Sequence, residues 1–193
     1  MAYTENGDTV VLYNNGQWEY LENFLDTEKT AYEIPTNNTK FSKPKKSTEQ
    51  AGGGKGGYEI WYNPVIWKRI PPAEINEDAD NAFEMKGDDA FAAVIFERME
   101  IPMESLLEIA LENAQTVAPD ANLVKQEWRT VNGQKVLFGQ IEGTLSGIKF
   151  TYYSYYFSNG DGTIQFTTFT GQGIFDELRP AMEDLLNGLI ILD

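Results

Sequence analysis

The 193-residue sequence contains no cysteine and no histidine. Without cysteine the chain cannot form a disulfide, a thiolate nucleophile, or a cysteine-ligated zinc or iron–sulfur site. Without histidine it has no Ser-His-Asp triad, no imidazole acid–base chemistry and few ligands for a transition metal. These absences exclude most familiar catalytic apparatus, so we expect no cofactor, no metal and no enzymatic activity.

The sequence also lacks a long apolar run and an excess of positive charge. No stretch approaches the roughly eighteen apolar residues that cross a bilayer, so no transmembrane segment is expected. Thirty acidic residues against fifteen basic ones give a net charge of −15, which repels phosphate backbones and anionic lipid head groups. A nucleic-acid partner is therefore not expected, and a protein or small-molecule partner is left open.

What is present suffices for a folded core. Hydrophobic residues make up 41% of the chain and aromatic residues 13%, which excludes disorder over most of its length. A chain of this size buries roughly 70% of the surface that its unfolded form exposes. The composition therefore predicts a globular protein with one main domain.

The first 57 residues are predicted to form a hairpin and a linker. In residues 1–25, strands at Gly7–Tyr13 and Gln17–Tyr20 flank an Asn-Asn-Gly turn, which is typical of a small β-hairpin. Residues 26–57 are polar and rich in lysine and glycine, with a net charge of +4 over 40–55. This composition predicts a flexible linker. Its run Gly52–Gly57 lacks the order of a phosphate-binding loop.

Residues 58–193 are predicted to form the main α/β domain. A helix follows Pro102, because apolar residues recur every three or four positions from Met103 to Ala114. A second helix is predicted from Phe175 through Leu189. Compact turns separate the later strands, so these must run antiparallel. The predicted strands are Tyr58–Tyr62, Val65–Arg69, 82–86, 90–97, Leu123–Val131, Lys135–Glu142, Ile148–Phe157 and Thr163–Thr170.

The strand at 90–97 suggests how the layers are arranged. Its sequence from Ala90 to Phe96 is apolar on both alternating faces, which requires protein on both sides of the sheet. The predicted fold class is α+β, a mostly antiparallel β-sheet flanked by helices on both faces, with a small N-terminal β-hairpin.

The order of elements in residues 58–193 resembles the PsbP-like α/β/α sandwich family, to which the DcrB-like lipoproteins are similar. The resemblance is carried by Tyr-Asn-Pro-x-x-Trp at Tyr62 to Trp67, the helix after Pro102, and Tyr-Tyr-x-Tyr-Tyr at Tyr152 to Tyr156. It implies a binding, scaffolding or chaperoning role, mostly outside the cytoplasm, and no shared catalytic residues. We therefore expect a non-enzymatic binding or accessory module of bacterial type, periplasmic, secreted or lipid-anchored after removal of a signal. A cytoplasmic location is the alternative.

The aromatic residues of the third meander strand supply the candidate binding site. Alternation sends Tyr152 and Tyr156 to one face and Tyr153, Tyr155 and Phe157 to the other. These rings either pack in the core or form an open groove for a peptide, protein, lipid or glycan. The candidate ligand-binding residues are Trp61, Tyr62, Trp67, Tyr153, Tyr155 and Phe157.

Two other functions remain open. Glycoside hydrolysis needs only two carboxylates, roughly 5 to 9.5 Å apart, and the candidates near strands are Glu97, Glu100, Glu127 and Glu142. A structural subunit of a larger assembly would show a large exposed apolar surface.

Two other motifs do not predict a site. The acidic segments 77–80 and 88–89 lack the ordered spacing of a calcium loop. Gly171-Gln172-Gly173 is interpreted as a plain turn.

Overall fold

A computed structural model describes residues 2–3, 9–12, 18–20, 33–52 and 57–192, the first three groups as backbone strands only. It divides the chain into two compact units, Met1–Ile34 and Pro35–Asp193. In the first unit, strands β1 (Ala2–Tyr3), β2 (Thr9–Leu12) and β3 (Trp18–Tyr20) pair antiparallel in that order. The β2–β3 pair lies where the two hairpin strands were predicted, and the Asn-Asn-Gly turn lies outside the described residues.

The second unit contains two sheets and two α-helices within the described residues. An eight-stranded sheet has the order β4-β10-β11-β12-β13-β9-β8-β7, and a three-stranded sheet has the order β14-β6-β5. All neighbours are antiparallel except β4 and β10. The elements are β4 (Thr36–Phe41), β5 (Glu49–Gly52), β6 (Tyr58–Tyr62), β7 (Trp67–Ile70), a 3-10 turn (Pro72–Glu74), β8 (Asn81–Met85), β9 (Ala90–Glu97), α1 (Met103–Val117), β10 (Asn122–Val131), β11 (Gln134–Leu145), β12 (Ile148–Asn159), β13 (Gly162–Gly171), α2 (Phe175–Leu186) and β14 (Leu189–Ile191).

The two helices cover opposite faces of the large sheet. On the inner face, Tyr153, Tyr155 and Phe157 of β12 pack in the main core with α2 and the small sheet. On the outer face, Leu107 of α1 lies over Gly139, where an added Cβ would come within 2.5 Å of the Leu107 Cδ1 atom. This arrangement confirms the predicted α+β fold with helices on both faces.

Strand β9 is covered more completely on one face than on the other. Its inner residues, among them Ala92 and Val94, are fully buried. On the outer face Phe91 and Ile95 are only half-buried, because α1 lies mainly over β10, β11 and β12. The predicted cover on both sides is therefore present, but it leaves part of the outer face open.

Two predictions differ from the structure in the second unit. The expected flexible linker contains β4 and β5, because their backbones pair with β10 and β6 while most of their polar side chains stay exposed. The final helix ends at Leu186 rather than at Leu189. Beyond it, Gly188 accepts a hydrogen bond from the Trp61 N–H and β14 pairs with β6.

Candidate functional site

The open part of the outer face forms a groove of about 270 Å³. It lies between the C-terminal half of α1, the turn at residues 75–76, and strands β9, β12 and β13. We call it the outer groove. Its lining includes Ala93, Ile95, Asn113, Val117, Tyr152, Tyr156, Gln165, Thr167 and Phe169.

A row of small residues creates the floor of the outer groove. Ala93, Thr167, Ser154 and Gly139 lie directly opposite one another on β9, β13, β12 and β11. On β11 the row is filled, because Leu107 of α1 lies over Gly139. On β9 and β13 the row borders open space. The outer groove is therefore the part of this row of small residues that α1 does not cover.

Larger side chains form the walls on either side of this row. Phe91, Phe169 and Tyr152 lie opposite one another on three neighbouring strands. The ring centroids of Phe91 and Phe169 are 5.6 Å apart, and those of Tyr152 and Phe169 are 5.9 Å apart. On the other side Ile95, Gln165 and Tyr156 form the next row. An apolar and aromatic wall therefore stands on each side of a shallow floor.

The polar groups of the outer groove are neutral. Burial raises the pKa of Tyr152 above its ordinary value, and it raises that of Tyr156 to about 12. Both phenols therefore stay protonated near neutral pH. Asn113 and Gln165 add uncharged side-chain amides to the lining. Since no lining residue is charged, the site is suited to apolar groups and uncharged hydrogen-bonding groups.

The structure places the predicted site residues on the opposite face. Tyr62, Trp67, Tyr153, Tyr155 and Phe157 are between 0% and 7% exposed and belong to the packed core. Trp61 is half-buried, and its indole N–H donates to Glu59 Oε2 at 2.9 Å. This corrects the location of the open aromatic groove, whose walls include Tyr152 and Tyr156. Alternation in sequence separates the two faces, but it does not show which of them is filled by a helix.

Sequence reasoning missed a buried cluster around Arg129 on the inner face. Arg129 is 3% exposed. It donates to Glu127 Oε1 and to Glu183 Oε1, each at 2.7 Å. It also donates to the Tyr155 hydroxyl at 3.2 Å and to the Tyr153 hydroxyl at 3.3 Å. The available sequence signal was the Glu-x-Arg spacing on β10, which puts both side chains on one face.

The aromatic surroundings of Arg129 complete the cluster. Its guanidinium carbon lies 3.9 Å from the Phe138 ring centroid and 4.7 Å from that of Phe41 on β4. Asn37, also on β4, donates to Glu127 Oε1 at 2.9 Å. The cluster therefore connects β4, β10, β11, β12 and α2 through the buried guanidinium of Arg129.

The pKa values in this cluster indicate fixed protonation states. Burial raises the pKa of Tyr155 to about 12, against the opposing effect of Arg129. Burial likewise raises the pKa of Tyr153. Burial by itself would raise the pKa of the Glu127 carboxyl. Hydrogen bonds from Asn37 and from neighbouring cations outweigh that effect and hold the pKa below its ordinary value. None of these three groups changes charge near neutral pH, so the cluster is suited to holding strands together rather than to acid–base catalysis.

The carboxylates considered for hydrolysis do not meet in the outer groove. Glu127 belongs to the Arg129 cluster, and Glu142 accepts a hydrogen bond from Gln140 at 2.8 Å. Glu97 and Glu100 are exposed at and beyond the end of β9.

Within the described ranges, no group of three or more acidic residues could hold a metal ion. Over the same ranges, no helix is long and apolar enough to cross a membrane.

A second cleft of about 530 Å³ lies at the start of α1. Glu100 and Glu104 line it together with Trp128 and Lys135. The Lys135 Nζ atom lies 3.8 Å from the Trp128 ring centroid. The Lys135 ammonium therefore already covers the face of the Trp128 ring on which a ligand would stack. This makes the second cleft the weaker candidate.

Comparison with known proteins identifies the fold. Neither a protein family nor a curated protein matches the sequence. The solved structure of PsbP (CyanoP) from Synechocystis matches with a TM-score of 0.56 and 16% identity, over 77% of this chain and 94% of that one. LpqN, described as involved in cell envelope biogenesis of Mycobacterium tuberculosis, matches with a TM-score of 0.53 and 13% identity, over 75% of this chain and 90% of that one.

A eukaryotic protein has a similar structure. The Saccharomyces cerevisiae Ran-binding protein Mog1p matches with a TM-score of 0.51 and 7% identity, over 75% of this chain and 95% of that one. At such identities the likeness concerns the fold alone. The predicted PsbP-like fold is confirmed.

Proposed function

We propose that the chain is a non-enzymatic binding module whose outer groove receives apolar side chains of a protein partner. The observation that carries this proposal is the uncovered end of the small-residue row, at Ala93 and Thr167, between two apolar walls. A concave apolar surface that its own helix leaves open is typical of a recognition site.

The size of the outer groove favours a protein segment over a free small molecule. Its volume of about 270 Å³ falls just below the roughly 300 to 1,000 Å³ of sites that enclose small molecules. One or two large side chains would occupy this space. The amides of Asn113 and Gln165 can then bind the backbone of the same segment.

Two further observations support a binding role. The buried Arg129 cluster has its charges paired and its phenols protonated, which favours a structural role over a catalytic one. Mog1p, which shares the fold, is named for binding a protein. That support is an analogy between folds.

A location outside the cytoplasm of a bacterium is part of the proposal. LpqN, which shares the fold, is described as acting in cell envelope biogenesis. Fractionation of the native host tests this location. Recovery in the envelope or secreted fraction would support it, and recovery with the cytoplasmic markers would refute it.

Filling the outer groove tests the binding role. Ala110 on α1 lines the groove and is half-buried, so Ala110→Trp should place an indole where a partner side chain would lie. The probe is a fluorescein-labelled octapeptide alternating leucine with serine. We expect wild type to bind it and the variant to bind about tenfold or more weakly, a loss of roughly 1.4 kcal/mol, as measured by fluorescence anisotropy.

Val65→Trp is the matched control for this experiment. Val65 is 79% exposed and does not line the outer groove, so its replacement adds the same surface indole without filling the site. The control should bind like wild type. Equal affinity of wild type and Ala110→Trp, with unchanged circular dichroism, would contradict the proposal, as would the absence of binding by wild type.

A further inference from the structure

We infer that the partner segment is cationic, with lysine or arginine beside the apolar side chains that enter the outer groove. This inference rests on the proposed function and adds the charge of the partner. Its basis is a difference between the neutral lining of the groove and the charge of the surface next to it.

The chain segments that carry the lining residues of the outer groove are acidic. Six carboxylates lie within two residues of a lining residue along the chain, and no lysine or arginine does. All six side chains belong to exposed residues. They are Glu74, Glu77, Asp78, Glu97, Glu108 and Glu112.

These carboxylates come from three different parts of the groove. Glu77 and Asp78 follow the lining turn at residues 75–76, and Glu108 and Glu112 lie one turn apart on the exposed side of α1, with Glu112 next to the lining residue Asn113. Exposed charges act over about 8 Å at physiological ionic strength. The carboxylates close to the groove, rather than the net charge of the whole chain, therefore set the sign of the potential that a partner meets there.

The nearest basic residues do not reverse this sign. Arg98 and Lys149 each lie three positions from a lining residue. At that spacing Asp120 is counted as well, and the carboxylates outnumber the cations by seven to two. An anionic segment would therefore be repelled at the rim, whereas a cationic one would be attracted and its encounter with the site accelerated.

Recognition would then have two parts. The neutral lining takes apolar side chains and the backbone, and the carboxylates outside it interact with the flanking cations. Because exposed ion pairs contribute little individually, roughly 0.2 to 1 kcal/mol each, the apolar contact would supply most of the affinity. The charges would select the partner and raise its association rate.

Three octapeptides that share four leucines test the charge of the partner. Their alternate positions are lysine, serine or glutamate, and each carries fluorescein. At 20 mM salt we expect the lysine peptide to bind about tenfold tighter than the glutamate peptide, with the serine peptide between them. At 1 M salt, where the screening length falls to about 3 Å, the three affinities should converge to within about threefold.

A pair of variants separates rim charge from total charge. The double variant Glu77→Gln, Asp78→Asn removes two rim carboxylates, and Asp176→Asn, Glu177→Gln removes two exposed carboxylates on α2, across the sheet. We expect the rim variant to bind the lysine peptide about threefold more weakly, roughly 0.6 kcal/mol, and the α2 variant to bind it like wild type. Equal losses in the two variants would overturn the inference.

The outcomes distinguish this inference from the proposed function. If the serine peptide binds wild type but not Ala110→Trp, and the lysine peptide is no tighter than the glutamate peptide, the groove binds apolar segments without charge selection. The proposed function would stand and the inference would be overturned. If none of the peptides binds wild type, both are overturned.

Discussion

Replacing Arg129 with alanine is expected to lower the free energy of unfolding by about 3 kcal/mol, the lower end of the cost of breaking a buried ion pair, because Glu127 keeps Lys125 as a second cation at 3.0 Å. Here the residues left behind are Glu127, with its 10% exposed side chain, and the hydroxyls of Tyr153 and Tyr155. The guanidinium also fills the space between Phe41 and Phe138. Urea denaturation followed by tryptophan fluorescence measures the loss.

Two further variants make the Arg129 result specific. Arg129→Lys keeps the charge but loses the forked geometry, so its loss should lie between wild type and alanine. Arg179 is 52% exposed and lies 3.7 Å from Asp176, and Arg179→Ala should cost about 0.5 kcal/mol or less. Similar losses for Arg129→Ala and Arg179→Ala would show that the buried cluster does not hold the sheet and α2 together.

Substituting Gly188 with alanine is expected to destabilise the fold by about 3 kcal/mol or more, the upper end of the cost of overpacking. A Cβ at this position would lie 1.8 Å from the carbonyl oxygen of Trp61 and 2.9 Å from that of Leu185. Both neighbours are backbone atoms, so neither can rotate away. Relief would require β14 to separate from β6, with loss of the Trp61 N–H to Gly188 hydrogen bond.

Gly173 supplies the control for the steric argument. An added Cβ at Gly173 meets no atom within 4 Å and the residue has no positive φ, so Gly173→Ala should change the unfolding free energy by no more than about 0.5 kcal/mol. Both variants are compared by urea denaturation. A Gly188→Ala protein as stable as Gly173→Ala would contradict the close approach of β14 to β6.

The antiparallel meander was predictable because its turns are encoded locally. Asn132 and Gly133 have φ values of 50° and 89°, and Ser146 and Gly147 have values of 51° and 84°. Two-residue turns with positive φ at both positions match the twist of antiparallel strands. The pairing of β10 with β11 and of β11 with β12 therefore followed from short-range chemistry.

The strands β4 and β5 were not predictable by the same reasoning. Their sequences are polar, and their partners β10 and β6 supply the backbone hydrogen bonds. In β4 the side chains that fix the position are Asn37, bonded to Glu127, and Phe41, stacked on Arg129. These contacts join residues about ninety positions apart, which no local pattern reveals.

The candidate site was predictable only in part. Alternation correctly separated Tyr152 and Tyr156 from Tyr153 and Tyr155 on β12. It could not show that α2 and the small sheet fill one face while α1 leaves part of the other open. The position of α1 involves the contact of Leu107 with Gly139 on β11, which joins residues 32 positions apart.

The distribution of charge was also predictable only in part. The net charge of −15 correctly indicates an acidic surface. The pairing of Arg129 with Glu127 and Glu183 depends on the meeting of β10 with α2, so sequence alone could not separate this buried cation from the exposed ones. The same applies to the carboxylates around the outer groove, whose grouping depends on the folded positions of α1 and the turn at 75–76.

An amide chemical-shift map of the protein titrated with the leucine–lysine octapeptide tests directly whether a partner segment binds in the outer groove. Binding there should produce saturable shifts at Asn113, Val117, Gln165 and Thr167, which line the groove, and these shifts should be lost in Ala110→Trp. Shifts that cluster elsewhere while these four amides stay unmoved would contradict binding in the groove.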